Sequence, residues 1–211
     1  MIPFSKEQFL HVFESYNQAI LPFQAVLVVI ALVTTVLAAK PFSASSKTVS
    51  LFLAFLWLWM GVAFHLLFFS EINPAAFLFG AGFVLQASLF CYEGVVHDRL
   101  GFRSQRDIYG FVGLLFVLYA LIVYPILGYA RAASYPSMPT FGLPCPTSIF
   151  TFGILLWTSK RVSPLLLVIP FLWSLIGTQA WAAFGIWEDF GLPVAGTIAV
   201  ALLLYRDHLK R

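Results

Sequence analysis

An all-α transmembrane bundle of about seven spans is the fold class this sequence predicts, and three observations predict it. The chain is 61% hydrophobic and 10% charged, against about 25% charged in a soluble domain. The charges are clumped, which leaves charge-free runs at 15–39, 48–70, 72–92, 108–130, 132–159, 162–187 and 190–205. Stretches such as 23–39 and 51–60 are apolar all round. They lack the alternation of a barrel strand, and helices are what satisfies backbone polar groups in lipid. Six of the runs reach the roughly 20 residues that cross a hydrocarbon core. The shortest, 190–205, nearly does once its ends snorkel.

The elements follow in order along one integral membrane domain, 1–211. Ser5 and Gln8 have capping-box spacing. Phe9, Val12, Phe13 and Tyr16 recur at helical spacing among polar residues, so 5–17 reads as an interfacial helix. No basic stretch precedes an apolar one at the start, so no secretory signal is expected and the first span acts as an uncleaved anchor. The spans are expected at about 18–38, 49–69, 74–94, 108–129, 147–159, 164–183 and 190–205. Between the fourth and fifth, residues 130–147 form an outer loop with Pro136, Pro139, Pro144 and Pro146. Proline removes a backbone donor and restricts its predecessor, so Cys145, between two prolines, is expected outside regular helix.

Basic residues set the orientation. With seven spans and an external N-terminus, Lys40, Lys47, Arg99, Arg103, Arg106, Lys160, Arg161, Arg206, Lys210 and Arg211 fall on the cytoplasmic side, leaving Lys6 and Arg131 outside. That asymmetry follows the positive-inside rule. The net charge of +3 therefore reflects membrane orientation. No basic patch interleaved with exposed aromatics points to nucleic acid.

Candidate functional residues collect at the outer end: Asn17, Gln24, Glu71, Asn73, Cys145, Gln179, Glu188 and Asp189. Together they could line an outward vestibule whose acidic groups attract a cation. Alternatively, Glu71, Glu188 and Asp189 simply favour helix N-termini. Cys145 is the one candidate metal ligand, as a soft thiolate, but no second cysteine lies near it. Cys91 is placed near the opposite face, too far for a disulfide. Glu93 and His97, four apart on one helix face, are inner-mouth candidates; the competing reading is an ion pair at the helix end. His65 is expected neutral within the second span, hydrogen-bonded to a neighbouring helix. Trp181 and Trp187 fit an outer aromatic belt and Trp157 an inner one. Trp57, Trp59 and Trp173, at mid-depth, either fill lipid-facing gaps or line a pocket. Small residues at Gly80, Gly82, Gly177, Ala180 and Gly185 would let the third and sixth spans pack closely. No zincin, P-loop, nucleophile-elbow or paired-carboxylate pattern is present, and no span carries a central lysine for a retinal Schiff base. No cofactor is expected.

The opening Met1-Ile2-Pro3-Phe4 with Phe9, Tyr16 and Asn17 carries a resemblance that covers nearly the whole chain. So do the run Phe141-Gly142-Leu143-Pro144-Cys145-Pro146-Thr147 and the pair Glu188-Asp189. With these, the sequence resembles a family of small bacterial multi-pass membrane proteins of unknown function. The resemblance implies a bacterial inner-membrane protein and supplies neither substrate nor functional residues. The leading reading is a small-solute or ion transporter with an outward vestibule, its partners being the bilayer and a small solute or metal ion. The alternative is a non-transporting membrane subunit that binds lipid or a partner protein. A membrane enzyme acting on lipid is disfavoured, since no acid–base or nucleophile set converges.

Overall fold

The computed structural model describes residues 2–130 and 134–209. Arg131, Lys210 and Arg211, used above to sort charges by side, lie outside the described residues. Among the described residues the chain is all-helical: α1 Lys6–Ala19, α2 Leu21–Ala39, α3 Ser45–Glu71, α4 Ala76–Val96, α5 Ile108–Ala130, α6 Pro144–Leu156, α7 Leu165–Phe184 and α8 Trp187–Leu209. Helices α2, α3, α4, α5, α7 and α8 are long and apolar enough to cross a membrane. Their outward faces carry exposed leucine, valine and phenylalanine, such as Val36, Leu78, Phe111 and Leu165, which suits contact with lipid rather than water.

The short amphipathic α1 begins where its cap dictates. Ser5 accepts from the Gln8 backbone at 3.3 Å, and the Gln8 side chain accepts from the Ser5 backbone at 2.8 Å. These bonds satisfy two N–H groups that a helix start leaves open. The buried face of α1, Phe9, Val12, Phe13, Tyr16 and Asn17, packs onto the bundle.

Helix α6 is the axis of the molecule. From Pro146 to Leu156 every residue is buried, and α6 packs against α5, α7 and α8. A helix apolar on all sides belongs in an interior. Its start corrects one expectation. Pro144, Cys145 and Pro146 are the first residues of the α-helix itself. The first turn has no intrahelical acceptors for its N–H groups, so prolines there cost no hydrogen bond. The helix against α5 is held by backbone contact. A Cβ on Gly113 would lie 2.8 Å from the Gly153 carbonyl oxygen, and one on Gly153 would lie 2.8 Å from that of Gly113. Only glycine permits this approach.

The other small residues pack differently from expectation. A Cβ on Gly80 would meet Leu66 and Gly61 of α3, and one on Gly177 would meet Leu192 of α8. Gly82 and Gly185 face open space. Three spans carry wide π-helical turns that re-aim side chains: Met60–Leu66 in α3 holds His65, Cys91–Val96 ends α4, and Tyr119–Val123 in α5 holds Tyr119. In α7, Pro170 leaves the Leu166 carbonyl without its usual donor. The Gln86 amide of α4 donates to that carbonyl at 3.0 Å.

The helix ends gather into two contrasting faces. At one, the loops around 40–45, 97–107 and 157–163 meet the end of α8. Arg206 is buried and donates to the Thr158 carbonyl at 2.7 Å, the Thr158 hydroxyl at 3.1 Å and the Lys160 carbonyl at 3.2 Å. Its guanidinium lies 5.6 Å from the centre of the Tyr109 ring. Main-chain bonds from Arg103 to Trp157 (2.7 Å), from Ser159 to Gly101 (2.8 Å) and from Ser104 to Ala38 (3.1 Å) close this face. Lys40, Lys47, Arg99, Arg103, Arg106, Lys160 and Arg161 sit on the same loops and helix ends, so it is the basic end. The opposite face holds α1, the α3–α4 turn, residues 134–143 and the α7–α8 turn. It encloses a cavity.

Candidate functional site

The cavity has a volume of about 310 Å3, within the size range of small-molecule sites. Each side comes from a different element. Ile2, Pro3 and Phe4 lie across it, and Phe9 and Phe13 enter from α1. Phe64, Phe69 and Phe79 come from α3 and α4, and Trp173, Gly177, Gln179 and Phe184 come from α7. Leu143, Pro144, Cys145 and Pro146 close it from the α6 side, with Tyr124 and Asp189 beside them. The walls are mostly aromatic. Phe4 alone packs against Phe9, Phe69 and Phe184 at 5.4–5.7 Å between ring centres.

The polar floor is a buried cluster. The Tyr124 hydroxyl and the Cys145 thiol both donate to the Asp189 carboxylate. Tyr119 donates to the Glu188 carbonyl at 2.8 Å. A Cβ on Gly191 would lie 2.4 Å from the Tyr119 ring, so the glycine after the acidic pair admits the tyrosine. Trp173, 8% exposed, keeps its indole N–H beside the Cys145 thiol without a well-formed acceptor.

A hydrogen-bonded scaffold holds the proline loop over α6. The Asn17 side chain donates to the carbonyls of Pro136 (2.6 Å) and Met138 (2.8 Å) and accepts from the Thr140 hydroxyl at 2.7 Å. Tyr16 donates to the Gly142 carbonyl at 3.0 Å and accepts from the Trp59 indole at 2.7 Å. Burial pushes the Tyr16 phenol above its ordinary range, so it remains a donor. Gly142 has a φ of +99°, and a Cβ there would lie 2.5 Å from Leu27. Both the left-handed conformation and the contact require glycine.

The sequence-predicted residues therefore divide. Asn73, Cys145, Gln179 and Asp189 line the cavity, although Gln179 is largely exposed. Asn73 also accepts from the Ala75 backbone at 3.0 Å at the start of α4. Glu188 is buried beside the cluster, its carboxylate near Gly128. Asn17 lies behind the proline loop as its fastener. Gln24 is half-exposed on α2, and Glu71 is exposed at the end of α3. At the basic end, Glu93 pairs with Arg99 at 3.1 Å and His97 packs against Tyr92 at 4.3 Å. Cys91 and Cys145 are both free thiols. Among the described residues no three His, Cys, Asp or Glu side chains gather in the manner of a metal site.

Two expectations need correction. His65 makes no hydrogen bond to a neighbouring helix; both ring nitrogens lack a partner. It is enclosed by Phe83 at 4.6 Å, Trp173 at 5.1 Å, Phe64 at 5.3 Å and Phe79 at 5.8 Å, all edge-to-face. Edge-to-face ring packing takes the place of the expected bond. Trp157 does not sit in an aromatic belt: it is buried and donates to the Gly110 carbonyl at 3.0 Å, filling the crossing of α5 and α6. Of the mid-depth tryptophans, Trp57 ties α3 to α6 through Thr151 at 3.1 Å, Trp59 ties α3 to Tyr16, and Trp173 lines the cavity. Sequence reasoning missed Tyr124, Tyr119 and the phenylalanine walls. Their only signal was an abundance of phenylalanine, 23 residues, which any membrane chain could carry.

A family of unknown function (DUF6064) matches residues 6–211. No curated protein matches the chain, and no solved structure does.

Proposed function

We propose, from the premise that the chain belongs to DUF6064, a family of unknown function, that it is a membrane transporter of a small solute. The observation that carries this reading is the cavity at the end opposite the basic loops, where Asn73, Cys145, Gln179 and Asp189 face one space. Solute sites in membrane bundles sit among broken or short helices, with irregular backbone tolerated where it lines a cavity. Helix α6 and residues 134–143 fit that description. The reading places the protein in a bacterial inner membrane as a single seven-span domain. Helix α6 is its short fifth crossing, and the cavity opens outward. The clustering of lysine and arginine at the other end supports that orientation.

The test uses Cys145 in a Cys91→Ser background, in vesicles of known orientation, with a charged methanethiosulfonate added to one side at a time. Modification from both sides is the expected result of alternating access. Modification from one side only overturns transport and leaves a binding cavity. The apolar walls favour one further reading, a non-transporting subunit whose cavity holds a lipid chain. Mass spectrometry of the purified protein detects such a lipid.

A further inference from the structure

We infer that the cavity takes a small organic cation with an apolar body and an oxygen acceptor; this deepens the proposed function and rests on the cavity being a solute site. Aromatic rings dominate the walls: Phe4, Phe64, Phe69, Phe79, Phe184 and Trp173. A ring presents negative potential from its face, and a desolvated cation over such faces gains about 2 kcal/mol. Among the described residues, none that lines the cavity is Lys, Arg or His.

Asp189 supplies the charge. It is 1% exposed, and its hydrogen bonds come from two neutral donors, Tyr124 and Cys145. Among the described residues no Lys, Arg or His nitrogen lies within salt-bridge distance of its carboxylate. A carboxylate away from water favours a cation brought by a ligand. An independent observation also points to a ligand. The Trp173 indole N–H is buried at the cavity wall with only the Cys145 thiol, a weak acceptor, beside it and no well-formed bond. A buried donor left unmade is costly, and an ester, ether or carbonyl oxygen on the ligand would satisfy it.

Three probes of similar shape separate the possibilities. Benzoylcholine is a quaternary cation with an ester oxygen, 3,3-dimethylbutyl benzoate replaces its nitrogen by carbon, and hippurate carries a negative charge. Binding to the purified full chain in nanodiscs is measured by calorimetry. Benzoylcholine is expected to bind at least about tenfold more tightly than the neutral ester, in line with a cation–π and counter-charge contribution, and hippurate not at all. Asp189→Asn is expected to erase that advantage while changing the neutral ester's affinity by less than about twofold. Equal binding of cation and neutral ester overturns the inference and leaves the solute cavity standing. Preference for hippurate, or no binding by any probe, also overturns it. If Asp189→Asn fails to fold, the three-probe comparison on the unaltered protein still decides.

Discussion

The two ends of the bundle solve the same problem in opposite ways. Each must close a set of helix ends and loops that have no regular partner. The basic end does so with a buried cation: Arg206 reaches three acceptors on one short segment, Thr158 to Lys160, and main-chain bonds seal the remainder. Among the described residues, the cavity end relies mainly on neutral groups. Asn17, Tyr16 and Thr140 hold the proline loop from behind, and the carboxylate there receives bonds from a tyrosine and a thiol. At the basic end the buried cation is already satisfied by its own loop, although Arg206 also borders a polar cleft with Arg103, Asp107 and Tyr109. A carboxylate facing a space among aromatic rings leaves room for a ligand. On the function proposed above, the cavity end is the working face and the basic end the fixed one.

Substitutions can break or sharpen this contrast. The largest effect is expected at the basic end. Arg206→Met should cost about 3 kcal/mol, because it leaves two buried acceptors and one part-buried acceptor without a charged donor; thermal unfolding in detergent measures it. Asn17→Ala should cost about 2 kcal/mol, since its lost bonds are neutral, and it should speed modification of Cys145 as the loop loosens. If Asn17→Ala proves the more damaging of the two, the assignment of fixed and working ends is reversed. Trp59→Phe should cost about 1 kcal/mol, one hydrogen bond to Tyr16, and the same melting experiment resolves it. Glu93→Gln should change stability by no more than about 0.5 kcal/mol, because its partner Arg99 is largely in solvent and such pairs contribute little. Gln24→Ala and Glu71→Ala should both lie within about 0.5 kcal/mol of the unaltered protein and leave benzoylcholine binding unchanged.

The helices were legible in the sequence because membrane burial demands long uncharged runs. The polar residues of the cavity were partly legible for the same reason: in an apolar chain every Asn, Gln, Asp and Glu stands out. Their roles were not. Asn17 and Gln24 share a helical face by spacing, yet one fastens a loop over a hundred residues away in sequence and the other sits on the outer surface. That separation comes from the break between α1 and α2 at Ile20, just beyond the boundary expected after residue 17, and a break says nothing of where each side then faces. Tyr124 was hidden among apolar neighbours, since a tyrosine in a span reads as packing until its hydroxyl finds Asp189. The prolines around Cys145 read as a helix breaker because their position relative to the helix start, not their presence, decides whether they break it. Arg206 was read as a marker of sidedness, which the count of charges rewards, while its buried contacts depend on loops remote in sequence.

The length of α6 has a consequence for how the protein is made. Thirteen residues rise about 20 Å, some 10 Å less than a hydrocarbon core, and two of the first three residues are proline. On the seven-span reading proposed above, such a segment does not hold itself across a bilayer as a free unit. It stays only where neighbouring helices cover its ends and sides, so α5 must already be in place and α7 and α8 must follow before α6 settles. The centre of the folded bundle is therefore the last part of it to be secured during biosynthesis.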